Sequence, residues 1–594
     1  MKKIVLVLLI FIMLAIYATF PLGFHMNTYI PAAFDTSEPF SILQGFWWVK
    51  FSSLHGLDFR SRNFIAAPFG VPFTRGQADY PLWDAVNKFF IMHFNEVFAY
   101  NINIILSFLL AGIFAYLLVF YLTKSWVCAL FSGAIYALCP YHFARAWQHL
   151  GLSHIEFFPL FILGLIRLRD DPRLKNILLV SLSLFLIFCF DFYYAYFALI
   201  IAAVFILFLL FNRLKKKVER VFTTLRALTI AVIICILLLL PVILPIVKDM
   251  LKPPETKVFT AYTLFHRPFE DLFQQSAKPL SYFLPATAHP VFGTFTERFA
   301  GSFLYGESIT EHTLYLGWVA LFLAFLAFRC RKKGEGKEGF YISFFVFLAI
   351  AAWLFSQPPW WNTGFFKIYP PSFFMYKILP MFRAYCRFGV VVMLAVAVLA
   401  GFGLKCFLER FKTKRPRVLF SLFMFGLALF DFSNWPPYKV VDVSGVPAVY
   451  AWVKKEPGDF TIAEYPLDAD TPYEMYMFYQ TRHEKKMINC TIPDTPPNKI
   501  ARTITKLSAP QSAGVLKWLG VKYALVHRDR YLEAGEIEVQ KELEKIAENP
   551  GLKLIRSFPA ETCPGEDISC LRQTGVVDVY EVVAKPVRPK EEAQ

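Results

Sequence analysis

The sequence predicts an all-α polytopic membrane bundle with an extracytoplasmic α/β domain at its C-terminal end. Three observations carry this. Of 594 residues, 56% are hydrophobic, 66 are Phe, and mean hydropathy is +0.45. That is the composition of a chain solvated by lipid, not of a large soluble enzyme. A membrane span needs roughly 20 apolar residues, and about eleven runs of that kind divide residues 4–432. Beyond residue 433 the apolar runs shorten and begin to alternate with polar residues. The expected domains are therefore 1–432, with large outer loops at 23–98, 248–312 and 357–386, and 433–594.

Lys2 and Lys3 precede the first run, as in a signal peptide. Phe20, Pro21 and Leu22 make a poor cleavage site after Ala18 and Thr19, so this is read as an uncleaved span. The loop behind it, from Phe34 to Gly70, is dense in aromatics, including Trp47 and Trp48. Such a segment suits a helix lying at the membrane surface with its rings at headgroup depth. It also holds Asp35, Glu38 and His55. Asp35 stands about a dozen residues past the span's outer end, where a carboxylate can meet an acceptor hydroxyl as general base. Glu38, three residues on, shares its face if the segment is helical. The alternative is a helix cap at Asp35 or Thr36 with solvated charges beyond it.

At the outer end of the third run stand Tyr141, His142, Arg145, His149, His154 and Glu156. The histidine spacing fits one helical face poorly and Gly151 interrupts it, which favours contacts to substrate or neighbouring loops over a metal site. Asp191 lies in the tight turn between the fifth and sixth runs, a position that faces a polar cavity rather than lipid. Among the acids of loop 248–312, Glu311 directly precedes the eighth run, and the others are read as solvated. Lys377, Arg383 and Arg387 mark the return of loop 357–386 to the membrane. Two arginines four apart meet on one face if helical and suit a phosphate or pyrophosphate; the alternative is snorkelling to headgroups.

Basic clusters around Lys124, Arg167–Lys175, Arg213–Lys217, Arg329–Lys333 and Arg410–Arg417 all fall on one side of this arrangement. The positive-inside rule makes that side, with the N-terminus, cytoplasmic and the tail extracytoplasmic. The net charge of +16 thus reports orientation in a lipid bilayer, not nucleic-acid binding. No P-loop or dinucleotide glycine fingerprint is present, and no cytoplasmic domain is left to hold a nucleotide sugar. The 10 Cys form no C-x-x-C pair; Cys128, Cys139, Cys189, Cys235, Cys386 and Cys406 read as packing residues. Cys563 and Cys570 are placed for a local disulfide if the tail is exported. In the tail, 460–463 and 521–526 read as strands and 513–519 and 536–549 as helices.

Several stretches resemble GT-C-fold membrane glycosyltransferases, in particular bacterial relatives that glycosylate cell-wall polymers or lipid-linked glycans. They are FDTSEPFSILQGFWW, ARAWQHLGLSHIEFFPLFIL, YFLPATAHPVFG, EHTLYLGW, ILPMFRAYCRFGVVVMLAVAVLAGFG and, in the tail, VPAVYAWVKKEPGDFTIAEYPL and LKWLGVKYALVH. The resemblance implies an inner-membrane enzyme that transfers a sugar, with inversion, from a polyprenyl-phosphate donor to a glycan or lipid acceptor. Asp35 matches the family's first-loop acid and would be the base. The segment reads Asp35-Thr36-Ser37-Glu38 without a D-x-D, which leaves a divalent cation open as the one cofactor. Glu311 matches an acid that precedes a Tyr-x-Gly-like turn. The alternative function is a transporter or flippase of lipid-linked glycans, which requires polar residues in mid-span and internal repeats. Here the polar groups gather at the outer ends of the runs.

Overall fold

The computed structural model describes residues 2–31, 38–58, 61–72, 81–211, 218–250, 267–330, 336–434, 438–467, 474–491, 495–531, 536–563, 569–570 and 574–589. The chain forms two compact units. The first comprises 1–23, 102–257 and 261–438, and the second comprises 24–101, 258–260 and 439–594.

The first unit is helical. Among the described residues, five helices are long and apolar enough to cross a membrane: Glu96–Thr123, Phe192–Phe211, Val221–Pro241, Lys337–Phe355 and Tyr385–Leu408. Trp126–Ala137 and Pro140–Gln148 make a sixth if the pair, bent by 42°, is one span. The other apolar runs are also helical but shorter or more polar, among them Leu174–Phe190 and Trp318–Cys330. Gly389–Leu408 is the axis of the unit, buried from Gly389 to Leu404. It packs against Trp318–Cys330 and Lys337–Phe355. With little hydrophobic drive between helices in lipid, close approach through small residues supplies the contact. Gly403 shows this: a Cβ there would stand 1.9 Å from the carbonyl oxygen of Leu323. Outward residues such as Ile233, Ile236 and Leu237 are exposed and apolar, as lipid-facing positions must be. Cys406, expected as a packing residue, instead forms a disulfide with Cys330 across two neighbouring helices, at a Cα–Cα distance of 6.6 Å.

The second unit is an α/β fold around a five-stranded sheet. Its strand order is Leu552–Phe558, Val577–Val582, Val521–His527, Thr461–Tyr465, Lys486–Met487. Val577–Val582 is antiparallel to the strand on either side of it, and Thr461–Tyr465 and Lys486–Met487 join parallel. Helices Pro510–Trp518 and Glu536–Glu548 contribute Leu516 and Ile546 to the core beside Ala463, Ala524 and Val526. A disulfide joins Cys563 and Cys570.

The segment 439–594 falls in the second unit together with the first outer loop, 24–101, which was expected to belong with the helical part. Tyr29–Pro31 pairs antiparallel with Val440–Asp442, which pairs parallel with Ser569–Cys570. Helix Glu38–Leu54 lies on Glu474–His483, where Gln44 donates to Gln480 at 2.8 Å and Phe40 meets Phe478. The backbone at 64–67 bonds Met487 and Asn489. This corrects the reading of 34–70 as a surface-lying helix. Trp47 and Trp48 are only 7% and 1% exposed within the second unit, so their rings are core residues rather than headgroup anchors. Aromatic density does not distinguish the two environments, because both reward large rings.

Candidate functional site

In the helical unit a buried cluster forms from three distant segments. Pro140 opens the helix Pro140–Gln148 after the break in the bent pair; its missing N–H costs nothing at a first helical turn. Arg145 of this helix is fully buried. Glu311 comes from the short helix Ile309–His312, where its N–H bonds the Ser308 hydroxyl. The His312 ring beside it bonds the Gln274 carbonyl at 3.0 Å. Gly306 permits this packing: its φ is +93° and a Cβ would lie 2.4 Å from His312 Nδ1. Arg387 comes from the 3-10 turn Tyr385–Phe388, tied down by the Cys386 N–H to the Gln275 carbonyl at 3.0 Å.

Arg145 grips Glu311 in a bidentate fork, Nη1 to Oε1 at 3.0 Å and Nη2 to Oε2 at 2.7 Å. Arg387 donates from Nη2 to Oε1 at 2.6 Å and from Nε at 3.1 Å, and the Cys386 thiol donates to Oε2 at 3.0 Å. Burial alone would raise the Glu311 carboxyl, but the two guanidinium groups hold it well below the usual carboxylate range. Two cations on one anion leave the trio one unit positive. Rings back both cations: Arg145 lies 4.9 Å from the Tyr141 centroid and Arg387 lies 4.7 Å from that of Tyr193.

Asp191 caps Phe192–Phe211 by accepting from the Tyr194 N–H at 3.1 Å. Burial raises its carboxyl to about 6, against the opposing pull of Arg387 and of this hydrogen bond. A carboxyl raised in the fold stabilises it below its unfolded value of about 4 and loses that contribution as pH rises through 6. The thermal midpoint of the wild-type protein is therefore expected to fall, relative to Asp191→Asn, as pH rises from 4 to 6.5. Parallel curves for the two proteins would refute this.

Arg383 pairs separately, with Asp271 at 2.6 Å, and its backbone N–H donates to the Tyr193 hydroxyl at 3.3 Å. Arg383 and Arg387 thus do not share a helical face, as the sequence spacing suggested, because Arg383 precedes the 3-10 turn; Tyr193 links them instead. The Arg383 and Arg387 side chains are 35% and 13% exposed, so both guanidinium groups keep some accessible surface beside their carboxylate partners. Such planar donors suit a phosphate.

The other anticipated residues scatter. His149 ends Pro140–Gln148 and lies near enough to Asp191 to favour its charge. His154 is buried against Glu156 at 2.8 Å. His142 stacks on Phe108 and bonds Ser107 at 3.0 Å. Lys377 is exposed over the Phe373 ring, apart from the arginine cluster. Asp35 lies outside the described residues. Glu38 and His55 are in the α/β unit, at opposite ends of the 17-residue helix Glu38–Leu54. At 1.5 Å per residue they are about 25 Å apart and serve no common site. Among the described residues no three His, Cys, Asp or Glu side chains gather as a metal site. Sequence reading missed Cys386 as a donor, Tyr193 as the link between arginines, and Asp271, expected to be solvated, as the partner of Arg383. Cys386 and Tyr193 adjoin residues that were singled out, and nothing local marks Asp271.

Several solved membrane glycosyltransferases share this architecture. The arabinofuranosyltransferase AftD from Mycobacteria aligns with 99% of this chain at TM-score 0.61 and 13% identity. The chain spans only 40% of AftD's length. AglB from Archaeoglobus fulgidus, solved with an inhibitory peptide and a dolichol-phosphate, aligns with 91% of this chain and 71% of its own at TM-score 0.51 and 12% identity. ArnT from Cupriavidus metallidurans, solved bound to undecaprenyl phosphate, covers 98% of this chain and 99% of its own at TM-score 0.51 and 10% identity. At such identities the likeness establishes the fold, which is that of the GT-C glycosyltransferases, in an integral membrane protein. No curated protein sequence matches the chain. The profile of one family matches residues 80–433, more than half of the sequence, and the chain therefore belongs to the family described as domain of unknown function DUF6311.

Proposed function

We propose that this protein is a GT-C-type glycosyltransferase that moves a sugar from a polyprenyl-phosphate-linked donor to an extracytoplasmic glycan, lipid or cell-wall acceptor. The observation that carries the reading is the positively charged cluster of Arg145, Glu311 and Arg387, buried within a helical unit of this fold. In the transfer the acceptor oxygen attacks the anomeric carbon and loses its proton to Asp35. The bond from that carbon to the phosphate oxygen breaks, and its electron pair leaves with the lipid phosphate. Negative charge grows on that phosphate in the transition state, and preorganised cations lower the barrier most where charge develops. Arg387 and Arg383 supply the accessible guanidinium edges, and Arg145 and Tyr193 hold them in place. His149 and Asp191 complete the substrate wall near Arg387.

The test is the purified protein in proteoliposomes with radiolabelled polyprenyl-phosphate pentose and hexose donors. Formation of a new glycosidic product with release of polyprenyl phosphate is expected. Movement of the donor between leaflets with no glycosidic bond formed would replace this reading with that of a flippase.

A further inference from the structure

The α/β unit contains a groove of about 660 Å³ that the transfer chemistry does not use. This volume falls within the range of roughly 300–1,000 Å³ that encloses small ligands. One wall is the final turns of helix Glu38–Leu54, where Trp47, Phe51 and His55 recur every four residues and so share a face. Their rings form a continuous stack, Trp47 to Phe51 at 4.6 Å and Phe51 to His55 at 4.1 Å. Trp47 is held in the core and His55 is exposed, so the stack runs from the interior to the groove mouth.

The rest of the lining is charged, and unevenly so. Lys50, Lys454, Lys455 and Arg482 face the groove against Glu96 and Glu484. Glu484 is already neutralised by Lys454 at 2.7 Å. Lys50 and Lys455 have no ion-pair partner among the described residues. Arg482 donates to the Val443 carbonyl at 2.5 Å, and its Nε is buried without a partner. Stacked rings at one side and an excess of cations over Glu96 at the other form a recognition pair for a chain of sugar rings that carries acidic groups. Rings cover the flat apolar faces of sugars, and the ammonium and guanidinium groups meet the acids.

We propose that this groove binds an acidic oligosaccharide, through the Trp47–Phe51–His55 stack and the cations Lys50, Lys455 and Arg482. This rests on the transferase reading only where it names that oligosaccharide as a segment of the acceptor.

The experiment is calorimetric titration of the full-length protein in detergent with tetragalacturonate, and with maltotetraose and tetraglutamate as probes of ring without charge and charge without ring. Saturable binding of tetragalacturonate is expected, at least tenfold tighter than either control. The double variant Lys50→Gln/Lys455→Gln is expected to weaken it at least tenfold, and His55→Ala severalfold, with unchanged thermal midpoints because these side chains are at or near the surface. Equal binding of tetraglutamate, or unaltered affinity in the double variant, would overturn the proposal. So would displacement of the oligosaccharide by anionic phospholipid micelles alone, which would make the groove a headgroup site. Binding needs no turnover: a protein that binds but does not transfer refutes the transferase reading alone, and one that transfers but does not bind refutes this inference alone.

Discussion

Glu311→Gln is expected to destabilise the helical unit by about 3–5 kcal/mol, the cost of breaking a buried ion pair from one side. The amide keeps the shape of the carboxylate but removes the negative charge that Arg145 and Arg387 both bind. Two guanidinium groups then face each other in a region where Arg145 is fully buried and cannot turn to water. The amide also presents an NH₂ donor where a guanidinium donates now, so at least one of the six contacts to the carboxylate becomes a donor–donor clash. Thermal unfolding of the detergent-solubilised variant measures this. Joint replacement by Arg145→Met, Glu311→Leu and Arg387→Met is expected to recover most of the lost stability, since a well-packed apolar trio costs no desolvation. Transfer activity is expected to stay absent in that triple variant. Wild-type stability in Glu311→Gln would mean that the trio is not paired as described.

The second large effect is expected at Asp35. Asp35→Asn retains size and polarity but cannot accept a proton at neutral pH, so transfer from a polyprenyl-phosphate sugar should fall by at least about 10²–10⁴-fold, the usual contribution of a general base. Membrane insertion and thermal stability should be unchanged. The loss should appear in kcat more than in KM, because the base acts on the acceptor proton in the transition state and adds little to ground-state binding. Asp35→Glu is expected to restore part of the rate. Full activity of Asp35→Asn in a radiolabelled-donor assay would remove the base from this residue.

Much of the bundle was legible from composition. Apolar length has one dominant physical cause in lipid, namely that the backbone must satisfy its own hydrogen bonds, and helices follow. Tail elements were also legible where the pattern was strong. The alternation at 521–526 became the strand Val521–His527, and the charged run 536–549 became the helix Glu536–Glu548. Of the polar residues singled out at the ends of the runs, Arg145, Glu311 and Arg387 meet in one cluster. Their pairing was not legible, because Arg145 and Glu311 are 166 residues apart and Glu311 and Arg387 are 76 apart. No local periodicity encodes which acid meets which base over such distances.

What the sequence by itself determined was a membrane-embedded helical chain with a separate α/β unit and basic and acidic groups gathered at the ends of its apolar runs. Hydrophobic length and charge placement are properties of short segments, and they are read within one segment. The tertiary structure alone decided that Glu311 holds Arg145 and Arg387 together, and that helix Glu38–Leu54 is built into the α/β unit with its tryptophans buried. Both depend on long-range packing, in which burial turns an ordinary carboxylate into the centre of an ion cluster and an apparently interfacial helix into a core element.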